Sequence, residues 1–250
     1  MKLSPKAQLS INKVVDKFKT GSLSPIKTVT RITLDSSAPS NNWSLSNKVL
    51  AFIQSNELDC RGFKQWQKVG RQVEKGSRAV YILRPHMIKP DENEDKSTCI
   101  GFSPIAVFPA SVTSGETNLP SYLPIKLPPL FEIAQKFNIS VKYLPVSPDK
   151  LGDCDINGSN INLGSHDERI FFHELSHAIH ARIDGKLKGG QQLDQETIAE
   201  FTTTVLMDFY DLGDHTGNAW KYIKQYSNDP LTAITKALGT VEKVLEVLLC

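Results

Sequence analysis

Apolar residues recur at helical spacing in several short segments of the first half of the chain. They predict amphipathic helices over 5–19 and 41–55, and a shorter helix over 63–69. Two β-prone runs flank a turn at 75–76, and the composition of 101–112 is typical of a strand. The first half is therefore expected to mix short helices with strands.

The stretch 113–129 is rich in proline, serine and threonine, which is typical of a linker. We place a domain boundary within it, which gives domains of residues 1–118 and 119–250. The later pattern predicts, in chain order, a helix, a strand and a hairpin, at 130–138, 140–146 and 155–164, and then further helices. The expected fold class is α+β in two domains.

The most informative motif is His173-Glu174-Leu175-Ser176-His177, which lies in an apolar helical pattern. Residues four apart on a helix lie one above the other, so both imidazoles can hold one Zn²⁺ ion. Glu174 then lies beside the ion as a candidate catalytic base toward water. Buried histidines need polar partners, and a metal supplies them. The alternative is a helix whose histidines are only hydrogen-bonded in a polar seam.

A catalytic zinc site needs a third protein ligand, and the next helical pattern offers one. Glu196 and Glu200 lie one turn apart on one helix face, where two carboxylates repel unless a partner separates their roles. We predict that Glu196 binds the metal and that Glu200 accepts a hydrogen bond from a ligand histidine. The alternative is a solvated acidic face. His180 is too far along the helix to join His173, and we expect it at the surface or beside the ligands.

A peptide hydrolase also needs a place for its substrate and a donor for the developing oxyanion. The run Ile161-Asn162-Leu163 in the predicted hairpin is our candidate for peptide binding by strand addition. Tyr210, His215 and Tyr222 are candidate oxyanion donors, and no spacing argument chooses among them.

Charge is distributed unevenly along the 250 residues. Residues 1–90 hold 16 Lys and Arg against 5 Asp and Glu, whereas residues 91–250 hold 13 against 22. This asymmetry indicates an N-terminal module that binds a polyanion. Aromatic rings that stack on unpaired bases, and cations that contact phosphates, are predicted among Trp43, Phe63, Lys64, Trp66, Lys68, Arg71, Lys75 and Arg78. The alternative is that the rings are core and the cations only keep the chain soluble.

Composition also limits the setting of the protein. No apolar run is long enough for a transmembrane helix, and the N-terminus lacks the apolar core of a signal peptide. The four cysteines are scattered, without the spacing of a disulfide framework or a thiolate zinc site. We therefore expect a cytoplasmic protein with no membrane partner.

The order and spacing of these motifs resemble the ArdC-type antirestriction proteins, in which a single-stranded-DNA-binding domain precedes a zincin-like metallopeptidase domain. The resemblance rests on Asn42-Trp43-x-x-x-Asn47, Gly62-Phe63-Lys64-Gln65-Trp66, Gly70-x-x-Val73-x-Lys75-Gly76-x-Arg78-Ala79, His173-Glu174-x-x-His177 and Glu196-x-x-x-Glu200. It implies an α/β DNA-binding domain, with Asn47 among its contacts. It also implies a metal held by His173, His177 and Glu196, with Glu174 as the general base.

The expected function is that of a single-stranded-DNA-binding antirestriction protein, as found on mobile elements, with a gluzincin-like zinc peptidase domain. Its partners would be single-stranded DNA and a protein or peptide substrate. Two alternatives stay open. One is a protein that masks DNA without turnover around a structural metal; the other is a metallopeptidase that cleaves a transcriptional regulator.

Overall fold

The chain forms two compact units in the computed structural model, Met1–Tyr122 (the first unit) and Leu123–Cys250 (the second unit). The residues that the structure describes are 5–19, 24–35, 37–88, 98–115, 119–145, 150–190, 192–213 and 230–249. The mixed α and β content expected from the sequence is confirmed.

The first unit alternates short helices and strands. Its helices are α1 (Pro5–Lys19), α2 (Ser24–Arg31), α3 (Leu45–Ser55) and α4 (Phe63–Lys68). Its strands are β1 (Cys60–Arg61), β2 (Arg71–Val73), β3 (Val80–Ile88), β4 (Thr98–Pro109) and β5 (Thr113–Gly115). α2 has no counterpart among the predicted elements, because Ser, Pro and Thr favour turns as well as the first turn of a helix. β5 lies in the predicted linker.

The longest strands of the first unit form an antiparallel ribbon. β3 pairs with β4 from Val80↔Val107 to Ile88↔Thr98, and β1 pairs with the far end of β4. β2 pairs with β5 in a separate small sheet rather than with β3 across the predicted turn. α3 contacts β3, and the buried core between them includes Ala51, Cys60, Val80, Ile82 and Val107. The β-prone runs are therefore strands, but their partners lie elsewhere in the sequence.

The outer edge of β3 is occupied by two side chains of α3. The Asn47 amide donates to Leu83 O at 2.9 Å and accepts from Leu83 N at 2.8 Å. The Gln54 amide makes the same two bonds with Tyr81, at 2.9 and 3.2 Å. Pro85, the next residue with the same orientation, has no N–H to offer. Since open strand edges invite other chains to pair, α3 protects this one.

The second unit combines a three-stranded sheet with long helices. Its elements are α5 (Phe131–Lys136), β6 (Ser140–Tyr143), β7 (Gly152–Cys154), β8 (Asn160–Leu163), α6 (Glu168–Asp184), α7 (Leu193–Phe209) and α8 (Pro230–Leu249). The predicted helix, strand and hairpin are present in this order. Among the described helices of the chain, none is long and apolar enough to cross a membrane.

The strand order corrects one expectation. β8 lies in the centre of the sheet, parallel to β6 and antiparallel to β7. Ile161-Asn162-Leu163 therefore has both backbone edges occupied, and no peptide can be added there. β7 is an edge strand of this sheet, and it contacts α6.

Apolar side chains bury α6 on most of its circumference. Asp167 caps its start, because its carboxylate accepts a hydrogen bond from the Arg169 backbone N–H at 2.9 Å. Gly185 follows its end at a φ of 84°, a backbone conformation that favours glycine. The buried residues along the helix include Ile170, Phe171, Phe172, Leu175, Ala178 and Ile179. This packing fixes the position and rotation of the helix that carries the metal motif.

The turn between β7 and β8 packs directly on α6. The Asp155 carboxylate accepts hydrogen bonds from the backbone of Asn157 and Ser159, at 3.2 and 2.8 Å, and so closes the turn. Gly158 has a φ of 66°, and a Cβ there would lie 2.4 Å from Ala178 O. The hairpin is therefore docked on the metal helix through a position that only glycine can fill.

We expect Gly158→Ala to destabilise the second unit strongly. The substitution strains a left-handed backbone, at about 1–2 kcal/mol, and adds overpacking of about 1–3 kcal/mol. Gly190→Ala is the control, because Gly190 also has a positive φ, of 79°, but open space around it. Chemical denaturation measures both variants. Equal losses of stability would show that the contact with α6 is not limiting.

Candidate metal centre

The three predicted ligands lie together between α6 and α7. One ligand atom each of His173, His177 and Glu196 falls within 4.8 Å of the others. Glu196 bridges the two imidazoles: its Oε2 lies 3.4 Å from His173 Nε2, and its Oε1 lies 3.7 Å from His177 Nε2. The i, i+4 spacing on α6 brings the two rings to 4.9 Å between centroids. The group is a possible site for a divalent metal ion.

Glu200 lies behind His173, one turn after Glu196 on α7. Its Oε2 is 3.4 Å from His173 Nδ1, where a hydrogen-bond acceptor is predicted. Its Oε1 forms an ion pair with Arg169, which is not among the site residues predicted from the sequence. Helical spacing could have identified Arg169, since it precedes His173 by the same four residues that separate the two histidines.

Glu174 is almost fully buried beside the ligands, and it touches β7. A Cβ placed on Gly152 would lie 2.9 Å from Glu174 Cγ and 3.0 Å from its Oε1. The strand therefore passes so close to the carboxylate that a side chain at position 152 would displace it. Burial raises the pKa of Glu174 to about 7, although nearby His173 acts in the opposite direction.

The protons of this cluster are shared unequally. Burial lowers the pKa of His173, but hydrogen bonds with Glu196 and Glu200 outweigh it and raise that pKa to about 9. The pKa of His177 is lowered by burial. The pKa of Glu196 is held well below its usual range despite burial, because both histidines bond to it. Two imidazoles and one carboxylate form a donor set that suits a divalent metal ion.

A cleft of about 370 Å³ opens on the three ligands. Residues of β7 and its flanks form one wall, and residues of α6, α7 and the loop between them form the other. The charged groups along the cleft include Lys150, Asp153, Asp155, Arg169, Glu174 and Lys188. The cleft therefore lies between an edge strand and the three predicted ligands.

A larger cavity, of about 670 Å³, lies beside the C-terminal half of α6 and includes none of the three ligands. His180 lines this cavity and is 5 % exposed, so it is not a surface residue. Its Nε2 lies 3.2 Å from Asp184 Oδ2, one turn further along α6. The smaller cleft is the better candidate for catalysis, because it contains the ligands.

None of the three candidate oxyanion donors is found in the cleft among the described residues. The Tyr210 ring packs on Phe172 and Phe209, with centroids 5.8 and 5.2 Å apart. It is not among the residues that line the cleft. His215 and Tyr222 lie outside the described residues.

Three predicted nucleic-acid contacts have hydrogen-bond partners within the first unit, and the expectation is corrected for the two that are buried, Trp66 and Arg71. Trp66 is fully buried, and its Nε1 donates to Phe108 O at 2.9 Å, so its ring cannot stack on a base. Arg71 is 8 % exposed and donates to Thr113 Oγ1 and O, at 2.8 and 2.7 Å. Asn47 is engaged with the edge of β3, as described above.

The remaining candidates divide by exposure. Trp43 is partly buried against the core of the first unit. Phe63 is 50 % exposed, and the cations Lys64, Lys68, Lys75 and Arg78 are also exposed. Helical spacing does not predict this difference, because residues three apart lie on the same side of a helix, yet Phe63 is exposed and Trp66 is buried. These five exposed residues remain predictions.

No protein-family model matches the chain, and no curated protein matches its sequence. Among solved structures, the chain resembles the antirestriction ArdC protein from the R388 plasmid. Its Mn(II)-bound crystal structure is 14 % identical, with 96 % of each chain covered and a TM-score of 0.35. Its metal-free structure is 16 % identical, with 96 % of this chain and 95 % of that chain covered and a TM-score of 0.33.

We expect Trp66→Ala and Phe63→Ala to separate core from surface on α4. Removal of the buried indole should cost about 3–5 kcal/mol of the free energy of unfolding of the first unit. Removal of the exposed ring should change it by less than about 0.5 kcal/mol. Urea denaturation monitored by circular dichroism measures both variants. A larger loss for Phe63→Ala than for Trp66→Ala would contradict the burial of Trp66 and the exposure of Phe63.

Proposed function

We propose that the chain is a zinc metallopeptidase joined to a single-stranded-DNA-binding module, with an antirestriction role. The main support for the enzymatic part is that two imidazoles, Glu196 and the buried Glu174 line one cleft beside an edge strand. Motif order along the chain supports the same function, since it resembles that of the ArdC-type antirestriction proteins.

His173, His177 and Glu196 would hold the metal ion. Zinc is the proposed ion because a set of two histidines and one glutamate, with a position left for water or substrate, is the ligand set of catalytic zinc. Bound there, the ion would polarise a substrate carbonyl and increase the acidity of water. Glu200 would accept the Nδ1–H of His173 and so leave Nε2 for the metal.

Glu174 is the proposed general base and acid. Its carboxylate is buried next to the first ligand and opens on the same cleft. From there it can take a proton from the attacking water and pass it to the leaving amine of a peptide. The glycine at position 152 leaves space for this carboxylate, since a Cβ there would lie only 3.0 Å from its Oε1.

The peptide would bind as an added strand on β7. Leu151 O accepts from Gly164 N at 2.8 Å, and Asp155 N donates to Asn160 O at 3.0 Å, so residues 151 and 155 face β8. By the alternation of an antiparallel pair, the backbone groups of Gly152 and Cys154 face the opposite way. Both residues line the cleft. An extended peptide that pairs with them would place a carbonyl near Glu174.

The DNA-binding part of the proposal is supported by charge and exposure. Residues 1–90 still hold an excess of Lys and Arg over Asp and Glu when the buried Arg71 is left out. Phe63 and Lys64 lie next to each other at the start of α4, with Lys68 one turn later. An exposed ring beside cations suits stacking on a base together with phosphate contacts.

We expect Glu174→Gln to lower proteolysis of a labelled, unfolded protein substrate about 10²- to 10⁴-fold, because the amide cannot accept the proton. Bound zinc, measured by elemental analysis, should stay at the wild-type level. Glu168→Gln is the control, since it makes the same change on the same helix outside the cleft. Unchanged proteolysis in Glu174→Gln, with and without single-stranded DNA, would refute the proposed peptidase activity. It would favour a protein that only masks DNA.

Charge reversal of Lys64 and Lys68 should weaken binding of single-stranded oligonucleotides and flatten its salt dependence. Each lost phosphate contact should reduce the slope of log K against log salt by about 0.7. Lys136→Glu with Lys142→Glu is the control, because it makes the same charge change at exposed positions of the second unit. Fluorescence anisotropy at several salt concentrations measures both. Equal effects of the two pairs would refute a local DNA-binding surface.

A further inference from the structure

Arg169 occupies a defined place next to the metal centre. It lies in the first turn of α6, where the Asp167 cap fixes its backbone at 2.9 Å. It precedes His173 by four residues and His177 by eight, so all three share one face of the helix. Its side chain is 25 % exposed, borders the cleft and reaches α7, where it forms an ion pair with Glu200.

Glu200 needs this partner because its carboxylate is 3 % exposed. Its other oxygen lies 3.4 Å from His173 Nδ1. A histidine that binds a metal through Nε2 is neutral, so it donates a hydrogen bond but does not balance the charge of Glu200. A buried carboxylate without an opposite charge is costly. Among the described Lys and Arg residues, Arg169 forms an ion pair with Glu200.

We propose that Arg169 is a positioning residue of the metal centre. It holds Glu200 in place and balances its charge, so that Glu200 fixes His173 with Nδ1 protonated and Nε2 free for the ion. The chain of contacts runs from the helix cap to Arg169, then to Glu200, and from there to the ligand. The inference rests on the proposed metal site, but it does not depend on whether the peptidase turns over.

The first experiment measures zinc affinity of the metal-free protein by competition with a chelator. Arg169→Gln should weaken binding about 10- to 100-fold, the usual effect of losing a residue that supports a metal ligand. Arg169→Lys should recover part of the loss, because lysine keeps the charge but lacks the planar fork of donors. Arg182→Gln, at an exposed position in the last turn of α6, is the matched control and should bind as the wild type does.

The second experiment combines Arg169→Gln with Glu200→Gln. If Arg169 acts through Glu200, the double variant should bind zinc no more weakly than Glu200→Gln alone. The double variant also removes the unpaired buried charge, so it tests the idea even where Arg169→Gln alone does not fold. Wild-type affinity in Arg169→Gln, or losses that add in full, would overturn the inference.

The outcomes separate this inference from the proposed function. A wild-type protein that binds no zinc would refute the metal site and the role of Arg169 together. Weak zinc binding in Arg169→Gln, with proteolysis that does not depend on Glu174, would refute only the peptidase. Weaker substrate binding at unchanged zinc affinity would instead make Arg169 a contact of the substrate and refute its positioning role.

Discussion

The packing of α6 on α7 is the constraint on which the candidate site depends. Each helix alone carries charges that disfavour burial: two imidazoles on α6 and two carboxylates on α7. Together they satisfy one another, because Glu196 faces both histidines and Glu200 faces the back of one of them. The apolar surface that buries α6 therefore also sets the distance between the ligands. A metal ion would complete an arrangement that the helix contact already holds.

Much of the candidate site could be predicted from the sequence because its residues recur at helical spacing. His173, His177, Glu196 and Glu200 are each one turn from a partner on their own helix, and local geometry is enough to align them. Arg169 lies one turn before His173, so the same spacing rule could have identified it. Gly152 could not be found in this way, because its closeness to Glu174 depends on how a strand packs against a helix distant in sequence.

The first unit shows the opposite case. Trp66 and Phe63 lie on one short helix and have similar composition around them, yet one is core and the other exposed. Asn47 looks like a polar contact residue in the sequence, but it binds a strand edge 36 residues further along the chain. The orientation of each side chain is set by long-range strand pairing, which periodicity does not encode. Motif order along a chain can thus indicate a surface without identifying its residues.

The contact between Gly152 and Glu174 has a consequence for how a substrate would be handled. A short strand with one open edge is held by few hydrogen bonds, and a peptide that pairs with it would lengthen and stiffen the sheet. Gly152 lies close to the Glu174 carboxylate, so in the proposed peptidase this stiffening would extend to the candidate base. Docking of a well-fitting peptide would then order that base, and a poorly fitting peptide would leave it less ordered.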